Sequence, residues 1–137
     1  MKKILFTLAI ANLSLLGCGQ KSTNEANMTQ EIEKHVDGSI YILSKTEFAK
    51  AIEKKGVQLV DVRTPSEYQE GTIKNAQLID YKQPKTFDSK FAALDKDKPV
   101  YLFCRSGARS QAAAKKLVKM GFKEIYDLEG GYLNWAN

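Results

Sequence analysis

The sequence predicts an α/β domain with a parallel-rich central sheet and helices on both faces. From residue 40 onward, short apolar segments alternate with segments whose apolar residues have helical spacing. Residues 99–103 are continuously apolar, which is typical of a strand in the middle of a parallel sheet. Strands that alternate with helices form such sheets. Because no motif occurs twice, residues 40–137 are predicted to form one domain.

The strands are predicted from apolar segments bounded by capping or turn residues. They lie at residues 40–43, 57–62, 76–79, 99–103 and 123–126. Each of them except the first follows a helical segment or a short helical turn. This order favours parallel neighbours over hairpins.

Two helix starts carry a capping box, in which a Ser or Thr and a Glu three residues later satisfy free backbone N–H groups. The boxes are Ser44–Glu47 and Thr64–Glu67, and the helices that follow are predicted to end at Gly56 and Gln69. The remaining helices are predicted around the stripe Phe87, Phe91 and Leu94, over residues 110–120, and after Gly130-Gly131.

The N-terminus has the order of features found in an export signal. Lys2 and Lys3 precede an apolar segment that is too short to span a bilayer comfortably. The segment ends in Leu15-Leu16-Gly17-Cys18, which resembles the lipobox of bacterial lipoproteins. The resemblance implies a signal peptide at residues 1–17 and acylation of Cys18 as the new N-terminus. The alternative is an uncleaved or disordered N-terminal segment.

Residues 18–39 are predicted to be the lipidated cysteine and a flexible tether, since polar side chains dominate there. His35, the only histidine, lies in this tether, which argues against a role as metal ligand or base. We expect the protein to be exported and anchored by lipid to the cell envelope, on the periplasmic or outer face of a bacterial membrane. The choice between inner and outer membrane stays open.

The charge balance does not favour nucleic acid as a partner. The whole chain has a formal net charge of +5, and loss of residues 1–17 removes only two lysines. No block of Lys and Arg with interleaved aromatic residues occurs. We expect a monomer whose partners are small molecules.

Cysteine usage points to a reactive thiol. If Cys18 carries lipid, Cys104 is the only thiol left and no intrachain disulfide can form. An unpaired cysteine is unusual in a compartment that oxidises thiols. Cys104 is therefore predicted to be reactive, and the alternative is a buried, inert cysteine.

Cys104 directly follows the predicted central strand, and residues 105–109 are predicted to form a tight loop before the next helix. Ligands bind outside the carboxyl ends of strands in such folds. Backbone N–H groups of a curled loop and a helix N-terminus form a nest for an anion, which favours the thiolate of a cysteine at its centre. Arg105 and Arg109 would add positive charge at the rim, unless they are merely exposed.

Three motifs resemble those of rhodanese-family sulfurtransferases. The first is Leu59–Arg63 with Glu67, Tyr68 and Gly71, the second is Cys104–Ser110, and the third is Leu128–Gly131 with Trp135. The resemblance as a whole spans about residues 40–137, the entire predicted domain. Two positions depart from the family pattern, with Thr72 in place of histidine and Asn75 in place of glycine. Asn tolerates a left-handed backbone, so the second change is mild.

The resemblance implies that Cys104 takes a sulfur from thiosulfate or a similar donor as a persulfide and passes it to cyanide or a thiol. The residues implied in binding the donor are Arg105, Ser106, Gly107, Ala108, Arg109 and Ser110. Asp61 and Arg63 are expected at the edge of the site, and a structural Arg63–Glu67 pair is an equally weighted alternative. No cofactor or metal is implied.

Three other functions compete with this one. The first is a cysteine phosphatase, whose loop needs one more residue between the cysteine and the arginine. Only four residues separate Cys104 from Arg109, which argues against this function. A persulfide carrier or sensing module that delivers sulfur to a protein partner is a second possibility. The third, a non-catalytic scaffold, is disfavoured by the presence of Cys104.

Overall fold

A computed structural model describes residues 39–137, together with the backbone of residues 34–37. The predicted signal peptide (residues 1–17), Cys18 and the first part of the tether lie outside the described residues. In the part of the chain that is described, no helix is long and apolar enough to cross a membrane.

The described chain alternates between strands and helices. The strands are β1 Lys34–Asp37, β2 Ile40–Leu43, β3 Gln58–Asp61, β4 Gln77–Leu78, β5 Val100–Phe103 and β6 Ile125–Leu128. The helices are α1 Lys45–Ile52, α2 Pro65–Gln69, α3 Pro84–Ala92, α4 Ala108–Lys119 and α5 Gly131–Ala136. The two predicted capping boxes are both formed.

The strands form one sheet in the order β1-β2-β6-β5-β3-β4. Five of them, β2 to β6, pair in parallel, and β1 pairs antiparallel with β2 at one edge. β5, whose four residues are all buried, lies between β6 and β3. The predicted α/β class with a parallel-rich sheet is confirmed.

Helices cover both faces of the sheet, as predicted. One core contains the aromatic residues of α3 and the small and apolar residues of α4, namely Phe87, Phe91, Ala113, Ala114 and Leu117. The other core contains Phe48 of α1, with Tyr132 and Trp135 of α5 packed against it. Cys104 belongs to the first core, so its side chain lies on the side of the sheet that α4 covers.

The sheet starts earlier than the sequence predicts. Residues 34–37 form β1, in which His35 pairs with Tyr41 of β2, whereas the prediction placed His35 in the tether. Among the strands that the structure describes, β1 lies at the edge of the sheet, where one side of its backbone pairs with no other strand. β1 can therefore form without an apolar segment, which is the feature from which the other strands were predicted.

The last strand lies two residues later than predicted. The prediction began at Lys123, but β6 begins at Ile125. Gly121, with φ of 92°, closes α4, and the Phe122 N–H donates to Leu117 O at 3.1 Å. Lys123 N then donates to Lys96 O, so this segment completes the turn before the strand starts.

Candidate active site

Cys104 lies immediately after β5, at the carboxyl end of a central strand, and only 1% of its surface is exposed. The helix that follows begins at Ala108, so the loop is shorter than the predicted residues 105–109. Gly107 precedes the helix with φ of 109°, a left-handed conformation that favours glycine. The chain can therefore turn directly from the strand into α4 around the sulfur.

Two groups of the loop and helix point at the sulfur. The Gly107 N–H donates to Cys104 Sγ at 3.1 Å, and Ser110 Oγ lies 3.5 Å from the same atom. The first backbone bond of α4 runs from Gln111 N to Gly107 O. Helix geometry leaves the N–H groups before Gln111 without an acceptor in the helix, which favours negative charge at this end.

The C-terminal helix holds the loop from the other side. Tyr132 N donates to Cys104 O at 2.8 Å, and Leu133 N donates to Arg105 O at 3.0 Å. A Cβ at Gly131 would lie 2.6 Å from Cys104 O, and Gly131 has φ of 61°. The second glycine of the Gly-Gly motif is therefore needed for α5 to approach the Cys104 loop, a role that sequence reasoning missed.

Asp61 and Arg63, which were expected at the edge of the site, form a buried ion pair. Arg63 Nη2 lies 2.7 Å from Asp61 Oδ2, and the two side chains are 4% and 0% exposed. The same guanidinium group donates to Gly71 O at 2.6 Å and lies over the Tyr132 ring. Thr72, at the position of the family histidine, donates to Asp61 Oδ2 at 2.8 Å. This cluster joins the strand–helix loop after β3 to α5.

Asn75 adopts φ of 68°. Asparagine is one of the few residues with a side chain that enters this left-handed region readily. The prediction that Asn75 can stand in place of glycine is confirmed.

Glu67 pairs with Arg109, and the Arg63–Glu67 pair is not formed. Arg109 donates to both Glu67 oxygens, at 2.7 and 2.6 Å, while Thr64 N and its hydroxyl donate to Glu67 Oε2. The hydrogen bonds from Arg109 hold the pKa of Glu67 well below its usual value, and Glu67 raises the pKa of Arg109. Arg109, which was expected to bind the donor, therefore has its charge balanced by a carboxylate.

The other predicted binding residues differ in exposure. Arg105, Ser106 and Ala108 are exposed at the mouth of the loop, while Gly107 and Ser110 are buried beside the sulfur. Within the described part of the chain, the Arg105 side chain makes no hydrogen bond or ion pair. Its charge is thus available to an anion that approaches Cys104.

Asp127 is a buried polar residue that sequence reasoning missed. It lies in β6, beside β5, and is 0% exposed. The predicted strand ended at residue 126, so this aspartate was assigned to no buried segment. The observation that could have revealed it is an acidic residue next to Tyr126, inside an otherwise apolar segment that precedes the Gly-Gly motif.

Other candidate sites lie away from Cys104. A cavity of about 300 Å³ is lined by Lys54, Lys55, Gly56, Val57, Lys98, Pro99 and Tyr101. These residues surround the starts of β3 and β5, at the opposite end of the sheet from Cys104. The described residues contain no group of three or more His, Cys, Asp or Glu side chains that could hold a metal ion.

Comparison with known proteins agrees with the motifs. A family model described as Rhodanese-like domain matches residues 44–137. The uncharacterized protein YqhL of Bacillus subtilis is 41% identical over 94 residues, which cover 69% of this chain and 71% of YqhL. The thiosulfate sulfurtransferase GlpE of Coxiella burnetii is 36% identical over 93 residues, which cover 68% of this chain and 84% of GlpE.

Solved structures show the same fold. A rhodanese-like domain protein from Staphylococcus aureus matches with a TM-score of 0.60 and 33% identity, over 69% of this chain and 89% of that one. A rhodanese-related protein from Thermoplasma volcanium matches with a TM-score of 0.59 and 30% identity, over 69% and 88% of the two chains.

Proposed function

This chain belongs to the rhodanese-like domain family, and on that premise we propose that it transfers a sulfane sulfur through a persulfide on Cys104. The observation that supports this most directly is the position of the Cys104 sulfur at the start of α4, where the Gly107 N–H donates to it. The start of a helix favours negative charge, which suits an anionic donor and the terminal sulfur of a persulfide. Relatives named thiosulfate sulfurtransferase support the same chemistry at the level of the family.

The first half-reaction loads the enzyme. The Cys104 thiolate attacks the outer sulfur of thiosulfate or a similar donor, and a new S–S bond forms between them. The S–S bond of the donor breaks, and its electron pair leaves with sulfite. The negative charge that was on Cys104 Sγ then resides on the terminal sulfur of the persulfide, near the N–H groups of the first turn of α4.

The second half-reaction unloads it. Cyanide or a thiolate attacks the terminal sulfur, and the persulfide S–S bond breaks with its electron pair returning to Cys104. Thiocyanate or a new persulfide leaves, and the Cys104 thiolate is regenerated. The two half-reactions together need no external oxidant or reductant. Because the donor product leaves before the acceptor reacts, the kinetics are ping-pong.

Arg105 is the residue best suited to attract the donor. It is exposed at the mouth of the loop and has no partner among the described residues, whereas Arg109 is held by Glu67. Arg109 still lies close enough for the charge of Cys104 to act on its guanidinium group. We infer that Arg105 binds the anionic part of the donor and that Arg109 mainly orients the loop.

The dimensions of the loop argue against phosphate ester hydrolysis. Four residues separate Cys104 from Arg109, and α4 already begins within them at Ala108. The backbone N–H of Gly107 is already directed at the sulfur. A loop this short forms a smaller nest of N–H groups, which suits one additional sulfur atom better than a tetrahedral phosphate group.

Mass spectrometry tests this function. The purified Cys18→Ser chain, in which Cys104 is the only thiol, should gain the mass of one sulfur after incubation with thiosulfate and lose it on addition of cyanide. Cys104→Ser should gain none. A loaded enzyme that cyanide cannot discharge, but that passes sulfur to a protein thiol, would favour the carrier function. Failure of Cys104 to load with any donor would contradict the proposal.

We also propose that the protein is exported and lipid-anchored through Cys18, on the strength of the Leu15–Cys18 sequence after a basic and apolar start. Metabolic labelling with a fatty acid, followed by membrane fractionation, tests this in a bacterial host. The native gene should give a labelled membrane product, and Cys18→Ser should give an unlabelled one. Unlabelled, unprocessed protein from the native gene would contradict the proposal.

A further inference from the structure

Asp127 is buried behind the active-site helix. It lies in β6 on the same face as Ile125, which belongs to the core that α4 covers. Its register neighbours are Leu102 of β5 and Ile42 of β2. The carboxyl group is therefore enclosed by apolar side chains from the sheet and by α4 from above.

Among the described residues, none forms a hydrogen bond of good geometry with the carboxyl group. Both oxygens of Asp127 are buried, and neither is bonded to any residue that the structure describes. The Ser110 hydroxyl and the Leu128 N–H lie near enough to favour its charged form, yet outside hydrogen-bonding geometry. A buried polar group without a partner is costly, and natural proteins rarely keep one that has no role.

Ser110 connects this carboxyl group to the nucleophile. Its hydroxyl lies 3.5 Å from Cys104 Sγ and 3.1 Å from Gly107 O, and it is also the polar side chain that acts on Asp127. A hydroxyl has a single proton to donate but can accept another hydrogen bond at the same time. The protonation of Asp127 therefore influences where the Ser110 proton points.

We propose that Asp127 is a positioning residue for Cys104: in its neutral form a small rotation of the carboxyl group lets it donate to the nearby Ser110 hydroxyl, which leaves the Ser110 proton free to point at the Cys104 sulfur. The ionised carboxylate would do the opposite. It attracts the Ser110 proton to itself and removes a donor from the thiolate. Its negative charge also opposes the negative charge of the sulfur.

The surroundings of Asp127 allow this change near neutral pH. Burial raises the pKa of Asp127 to about 7, while Ser110 and the Leu128 N–H act against that rise. The side chains that flank it from β2 and β5 are apolar, and the titratable group linked to it through α4 is Cys104. No described charged side chain pairs with it.

The first test follows the pH dependence of sulfite release in the first half-reaction, and so rests on the proposed function. As pH rises from about 6 to about 9, the rate relative to the thiolate present should fall about tenfold in the unsubstituted chain, as loss of one hydrogen bond to a charged group implies. Asp127→Asn keeps a donor toward Ser110 and cannot ionise, so its rate should not fall. Identical profiles for the two proteins would overturn the proposal.

The second test needs no sulfur transfer. Alkylation of Cys104 by iodoacetamide, measured against pH in the Cys18→Ser background, should follow two coupled titrations in the unsubstituted chain and one in Asp127→Asn. Ser110→Ala should weaken the coupling between the two titrations, because only the charge of Asp127 then acts on the sulfur, and Asp127→Asn should have a smaller effect in that background. These curves remain informative if thiosulfate is not a substrate. If Asp127→Asn fails to fold, a two-step curve that is unchanged in Ser110→Ala would overturn the proposal.

Discussion

Arg109 and Glu67 join the first turn of α4 to the first turn of α2 by two parallel hydrogen bonds of 2.7 and 2.6 Å. Glu67 also completes the capping box with Thr64. The Glu67 carboxylate thus caps the start of α2 and also holds α4, the helix that follows the Cys104 loop. The second signature motif of this family, around Cys104, is thereby attached to the first, around Glu67.

Glu67→Gln tests the contribution of this ion pair to stability. We expect the free energy of unfolding to fall by about 1 kcal/mol near pH 7. Hydrogen bonds between charged groups are strong, but the pair is partly exposed and solvent screening weakens it. The pKa of Glu67 is lowered in the folded state, so this stability is present above its ordinary value and is lost as pH falls below it. Urea unfolding of both proteins should show a difference at neutral pH that shrinks in acid. A difference that grows in acid would contradict this assignment.

Arg105→Ala should raise the KM for thiosulfate about tenfold or more and leave the unfolding midpoint unchanged, because its side chain is exposed and loses only an ion contact with the donor. Steady-state kinetics and urea unfolding measure the two effects. Arg105→Lys is the matched control and should retain most of the donor affinity. An unchanged KM in Arg105→Ala would show that the loop amides bind the donor without it.

The fold was largely predictable because strands of a parallel sheet are apolar and helices have caps. β2, β3 and β5 lie within one residue of their predicted bounds, and both capping boxes are formed. β1 was not predictable in the same way, since an edge strand needs no apolar segment. The start of α4 was predicted two residues late, because Gly107 and not a Ser or Thr side chain precedes it.

The position of Cys104 at the end of the central strand was predictable, and the ion pairs around it were not. Cys104 follows from a local pattern of strand, cysteine, glycine and helix. The partner of Arg109 lies 42 residues away, in another helix start, so charge alone could not distinguish a structural arginine from one that binds the donor. Asp127 was missed because the last strand was predicted to end at residue 126, whereas β6 continues to Leu128.

Gly131→Ala should damage the active-site loop. The new Cβ would lie 2.6 Å from Cys104 O, and the residue would keep a positive φ. We expect the free energy of unfolding to fall by about 3 kcal/mol or more and sulfur loading to be severely reduced. The reason is that α5 must move away from the Cys104 loop, to which it is hydrogen-bonded.

Gly56→Ala is the matched control for Gly131→Ala. Gly56 has φ of 76°, but no atom lies within 4 Å of the point that a Cβ would occupy. This variant should lose only about 1 kcal/mol, from backbone strain alone, and keep its activity. Equal losses in the two variants would show that backbone strain, and not contact with the Cys104 loop, sets the requirement for Gly131.

Asp127→Asn should stabilise the protein at neutral pH, because it removes an ionisable group that is buried without a partner among the described residues. Burial raises the pKa of Asp127 in the folded state to about 7, from an ordinary value of 3.8. Between these values the folded chain binds more protons than the unfolded chain, so the stability of the unsubstituted protein falls as pH rises through this window. Asparagine has nearly the same shape and carries no charge at any of these values. The variant should therefore be more stable by about 2 to 4 kcal/mol near pH 8 and nearly equal to the unsubstituted protein near pH 4. Urea unfolding at both values measures this, and Glu53→Gln, at an exposed position that ends α1, controls for the general effect of removing a negative charge. A destabilised Asp127→Asn at the higher pH would mean that the ionised carboxylate has a stabilising partner after all, and that Asp127 is held charged in the folded protein.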